Sequence, residues 1–156
     1  MNLPKTLPVN YWQLIVGKPF FEQLKVVDWQ SIFLRLIRSE EGKKFTLTQN
    51  VLAIRRYGLF LFLLQKYPNL KMVPNQEIDA VLHAHMADSH QFQEDCQNLF
   101  SVCFTHVPEV GLRGEVERQE WLLAFAHTQT LLEQNFGQGA MGSSVAACCE
   151  ILLNFT

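Results

Sequence analysis

The chain of 156 residues has no excess of positive charge: 13 Lys and Arg stand against 15 Asp and Glu, for a formal net charge of −2. That balance leaves no electrostatic footprint for nucleic acid and no basic block to seek anionic lipid. Nor is there an apolar run of bilayer length. The longest, YGLFLFLLQKY from Tyr57, is roughly half a span and is bounded by Arg55, Arg56 and Lys66, which predicts a core helix and not a membrane anchor. The N-terminal MNLPKTLPVNYWQLIVGKPFF lacks the charged start and small-residue cleavage site of a secretory signal, so a cytoplasmic location is expected. Four cysteines, Cys96, Cys103, Cys148 and Cys149, do not have the spacing of a small secreted framework and are expected as free thiols. Internal repeats, HExxH and CxxC motifs, period-two alternation and Asn-Gly or Asp-Gly hairpin signals are all missing.

What is present is helical patterning on a length suited to one domain with a real core. The segment PFFEQLKVVDWQSIFLRLIRSEEG runs from Pro19, suited to a first helical turn, to Gly42, suited to the far end, with Phe21, Leu24, Val27, Ile32, Leu36 and Ile37 as its apolar stripe. TLTQNVLAIRRYGLFLFLLQKYP follows, with Thr46 or Thr48 as N-cap and Pro68 closing it. It is apolar nearly all round and should lie centrally. Pro74 and Asn75 open a third helical stretch that can stay in phase to about Phe100. EVERQEWLLAFAHTQTLLEQNFG, with Glu115 and Glu117 in the first turn and Gly137 as C-cap, makes another. GQGAMGSS at 137–144 reads as flexible, and a short helix or tail over about Ser144 to Leu153 completes the chain. The economical reading is an all-α, single-domain bundle of four to six helices.

The third stretch carries EIDAVLHAHMADSHQFQEDC, residues 77–96, which gathers Asp79, His83, His85, Asp88, His90 and Cys96. At about 100° per residue, Ile78, Val81, Leu82, His85, Ser89, Phe92, Cys96, Leu99 and Phe100 share one face of a continuous helix. His85 therefore points inward. His83 lies roughly 160° from it, so one helix cannot send both rings to a single ion. Two polar groupings remain. His85, Asp88 and Cys96 form an inward set that His106, from the following THVP, can join; Asp79 and His83, four residues apart, form a second set in which a carboxylate can orient an imidazole. Zinc or iron needs three or four such ligands around one point.

The stretch KYPNLKMVPNQEIDAVLHAHMADSHQFQEDCQNLF, followed by THVPEVGLRGE, resembles the glycine-rich domain-containing protein-like family. The likeness covers roughly residues 66–137 and is carried by Asp79, His83, His85, Asp88, Asp95, Cys96, His106, Pro108, Gly111, Arg113 and Gly114. Leu82 stands where the family pattern has Trp, Ser89 where it has Thr, Phe92 where it has Tyr, Ser101 where it has Gly, and Thr105 where it has the first of two histidines. The resemblance implies a helical core over about 46–137 and names no reaction.

Three functional readings follow. In the first, the protein is an interaction or regulatory module and the His/Asp network holds the central helix to the THVP loop. Leu82, Trp12 and Trp121 would then be candidates for a partner surface. In the second, His85, Asp88 and His106, with Cys96, hold a metal for binding or catalysis. In the third, a small molecule sits beside Arg113, whose flanking glycines in VGLRGE precede a helix start and expose amide donors; the alternative is that Arg113 pairs with Asp88 or Asp95. Vicinal Cys148 and Cys149 are a weaker soft-metal or redox candidate.

Overall fold

A computed structural model describes residues 18–153, leaving Trp12 outside the described residues. In chain order it comprises α1 (Lys18–Leu24), α2 (Trp29–Arg38), a 3₁₀ turn (Gly42–Lys44), α3 (Leu47–Lys66), α4 (Gln76–Met86), α5 (Ser89–Phe100), β1 (Thr105–Pro108), α6 (Glu115–Phe136) and β2 (Cys149–Leu152). The expected helical bundle is observed, with six α-helices among the described residues. No helix among them is long and apolar enough to cross a membrane.

Three local departures from the sequence pattern have physical causes. The first predicted helix is two, because Asp28 caps a new start: its carboxylate accepts from Ser31 N at 3.1 Å and Ser31 Oγ at 2.7 Å. The third is also two. Asp88 leaves helical geometry and accepts from Gln91 N at 3.1 Å, so α5 begins afresh and the single face drawn from Ile78 to Phe100 is broken. The C-terminal helix expected from about Ser144 is instead a strand. β2 pairs antiparallel with β1, Thr105 opposite Leu152 and Pro108 opposite Cys149, and its Ile151 exchanges two 2.8 Å backbone bonds with Met72 on the other side. Four-residue strands show too few alternations to betray a period of two.

α3 is the centre, as its all-round apolar sequence demands. Its start is held by a capping box, Gln49 N donating to Thr46 Oγ1 and Thr46 N to Gln49 Oε1. α2 and α4 pack on it and on each other, enclosing Ile32, Leu36, Ile54, Phe60, Leu64, Ile78 and Leu82. The start of α4 is fastened by Asn75, fully buried: its Oδ1 accepts from Ile78 N, and its Nδ2 donates to Met141 O at 2.7 Å. Buried Glu77 is answered by Arg56 at 3.2 Å. The 137–144 stretch traces turns there, and a Cβ at Gly142 would meet the Arg56 guanidinium at 2.7 Å, so glycine is what allows the close approach.

A buried polar chain joins three helices. His85, 1% exposed on α4, has Nδ1 at 2.8 Å from Tyr57 Oη of α3 and Nε2 at 2.7 Å from Asp95 Oδ2 of α5, while Gln91 Nε2 donates to Asp95 Oδ1 at 2.9 Å. Burial raises the Tyr57 phenol well above its ordinary range, so it enters the chain with its hydrogen in place. His85→Ala strands a buried carboxylate and is expected to cost about 3–5 kcal/mol in urea unfolding, against about 0.5–2 kcal/mol for the exposed cap change Asp88→Ala. Burial likewise raises the Cys96 thiol beside this chain above its ordinary 9.0. A raised pKa gives stability that is complete below the unfolded value and lost as pH climbs past it. The fall in melting temperature above about pH 9 is therefore expected to be shallower in Cys96→Ala than in the parent chain.

Candidate metal centre

The inward set expected around His85 does not assemble a site. Both His85 ring nitrogens are committed to Tyr57 and Asp95, so neither lone pair is free for an ion. Asp88 is exposed and spent on its cap. Cys96 is buried with its thiol protonated, and His106 lies elsewhere. What the structure brings together is the second grouping, enlarged by residues distant in sequence.

Helical spacing puts Asp79 and His83 on the side of α4 away from His85, and that side faces the β1–β2 ladder. On the ladder His106 opposes Ile151, and Cys149 opposes Pro108. Partners across a ladder and residues two apart share a face, so His106 and Cys149 emerge together. They converge on one oxygen. Asp79 Oδ1 lies 3.4 Å from Cys149 Sγ, 3.6 Å from His106 Nε2 and 3.5 Å from His83 Nε2. The His83 and His106 rings meet edge to face with centroids 5.5 Å apart.

Glu41 completes the group from across the molecule. Its Oε1 is 2.7 Å from His83 Nδ1, which aims Nε2 at Asp79. The loop that carries it is pinned by the buried Gly42: Ser39 Oγ accepts from Gly42 N, Asn50 Nδ2 donates to Gly42 O, and any Cβ at this position would overlap the Leu36 carbonyl oxygen. The ligand atoms form two trios that share Asp79, namely Asp79, His106 and Cys149, and Glu41, Asp79 and His83. Within each trio all three atoms lie within 4.8 Å of one another.

Two features distinguish this cluster from a solvated polar face. His106 Nε2 is buried and has no hydrogen-bond partner among the described residues, although it points at a carboxylate. Burial also raises the Cys149 thiol, the Asp79 charge adding to it, so that Cys149 rests as a thiol donating weakly to Asp79. Glu41, Asp79 and His83 line a cleft of about 310 Å³ that opens to solvent, while His106 and Cys149 lie behind them.

The remaining sequence candidates have other roles. Gly111 N and Arg113 N both donate to Glu117 Oε1, at 2.7 and 3.2 Å, so the chain's own carboxylate fills the anion nest predicted beside Arg113. The Arg113 side chain is exposed, and its suggested acids are engaged elsewhere, Asp88 at a cap and Asp95 at His85. Leu82 is fully buried and Trp121 nearly so, its Nε1 donating to Ala147 O at 2.8 Å, which removes both as partner-surface residues. Cys148 is exposed at the cleft, and only Cys149 of the vicinal pair reaches Asp79. Sequence reasoning gave no role to Glu41 or Tyr57, offered Asp95 as a partner of Arg113 and not of His85, and did not link Cys149 to Asp79. Comparison with family models, curated proteins and solved structures finds no match for the chain.

Proposed function

We propose that this protein binds a divalent transition metal, zinc by the character of its donors, between α4 and the β1–β2 ladder. Asp79, His106 and Cys149 are the protein ligands. His83 presents Nε2 from the cleft side, and Glu41 orients it. The observation that carries the reading is the spacing around Asp79 Oδ1: zinc bonds of ordinary length in a tetrahedron put neighbouring ligand atoms roughly 3.3–3.6 Å apart, and Cys149 and His106 stand at 3.4 and 3.6 Å. A mixed O, N and S set favours zinc over magnesium or calcium, which take oxygen ligands. Three protein ligands beside an open cleft is the arrangement of sites that keep a coordination position for another molecule. A carboxylate behind an imidazole, as Glu41 stands behind His83, is the usual support for a metal-facing histidine. The resemblance drawn over residues 66–137 includes Asp79, His83 and His106; Cys149 lies outside it.

Elemental analysis of protein purified without a histidine tag is expected to give one zinc per chain after growth in supplemented medium. Cobalt(II) substitution is expected to produce a thiolate-to-cobalt charge-transfer band that Cys149→Ser abolishes and Cys96→Ala retains. Absence of both zinc and the cobalt band in folded protein would sink the proposal. His106→Gln, which removes one of the three protein ligands, is expected to weaken zinc affinity at least about tenfold in chelator competition.

A further inference from the structure

The cleft beside the ligand cluster has a chemistry of its own. Its rim includes Lys44, which is exposed and whose ammonium has no ion-pair partner among the described residues, although Glu41 is three positions away on the same turn. Glu41 is instead committed to His83 at 2.7 Å, and Asp79 is surrounded by His83, His106 and Cys149. Among the described residues that line the cleft, Lys44 is therefore the one charged side chain without an ion-pair partner. Phe45 and Ala147 supply apolar wall, and Gln76 supplies an exposed side-chain amide. The floor is Asp79 and His83.

We infer that this cleft takes a small monocarboxylate with an apolar body. Its carboxylate is held by Lys44 and Gln76, its body lies on Phe45 and Ala147, and its far end faces the metal position at Asp79 and His83. The inference rests on the metal reading for that last contact. Size and charge decide the class. The volume of about 310 Å³ is about twice that of a cavity that holds benzene, roughly 150 Å³, which suits one ring with a short acidic arm. A single lysine matches one negative charge. A neutral isostere would leave the Lys44 ammonium without a counter-charge.

Phenylacetate and phenylacetamide distinguish the alternatives when titrated calorimetrically into the metal-loaded full chain. Phenylacetate is expected to bind with Kd at or below about 1 mM, with the neutral amide weaker. Lys44→Gln, an exposed change that leaves the cluster intact, is expected to weaken phenylacetate about fivefold or more while metal content stays at one per chain. In the cobalt form, phenylacetate is expected to shift the ligand-field bands without removing the charge-transfer band. Equal binding of acid and amide, unchanged affinity in Lys44→Gln, or no phenylacetate binding in protein with an intact cobalt band would overturn the inference and leave the metal reading standing. Loss of the cobalt band itself in the parent chain would overturn both.

Discussion

The hydrogen-bonded chain from Tyr57 through His85 to Asp95 is the constraint on which the rest depends. It is buried, and it takes one residue from each of α3, α4 and α5. In an interior of low dielectric such a chain is worth keeping only when every member is satisfied, so it tolerates one rotational setting of α4 and few others. Fixing that setting by His85 also fixes what lies on the far side of the same helix. His83 is two residues before His85 and Asp79 six before, and helical geometry turns both toward the β1–β2 ladder. The buried chain that stabilises the bundle thereby orients the ligand cluster without contributing an atom to it.

The sequence shows this division of α4 because helical phase is a local property. The inward direction of His85, the separation of His83 from it and the pairing of Asp79 with His83 all follow from counting residues, and all three hold. The same counting fails beyond Met86, since it assumes that the helix continues. Asp88 was placed beside His85 by three-residue spacing, yet an aspartate three residues before Gln91 is equally an N-cap. The cap won, and α5 starts in a new direction. Reorientation of α5 is what brings Asp95, ten residues away, to the position Asp88 was expected to fill.

The convergence of groups on the other side of the cluster was illegible for a different reason, although His106 was itself a candidate ligand. His106 and Cys149 are brought together by a two-stranded ladder whose strands are 4 residues each, and Glu41 by a loop pinned at Gly42. No periodicity links position 41 to 83 or 106 to 149; only the packed fold does. Glu41 in RSEEG looks like one more surface charge, and Cys149 in AACCE looks like half of a vicinal pair of thiols. Both descriptions are local and say nothing about neighbours distant in sequence.

Asp79 shows why the cluster is more than close packing. One of its oxygens faces three groups at 3.4–3.6 Å, and the two imidazole contacts among them exceed the 2.7–3.2 Å of a good N–H to O bond. Structural histidines ordinarily settle into short bonds, as His85 does at 2.7 and 2.8 Å in the same helix. The chain thus contains both solutions on one helix, six residues apart. Around His85 the donors and acceptors close on themselves. Around Asp79 the imidazoles stand apart, and the buried His106 Nε2 is left with no hydrogen-bond partner among the described residues. A cation among them would give that nitrogen the close partner that Asp79 is too far away to be.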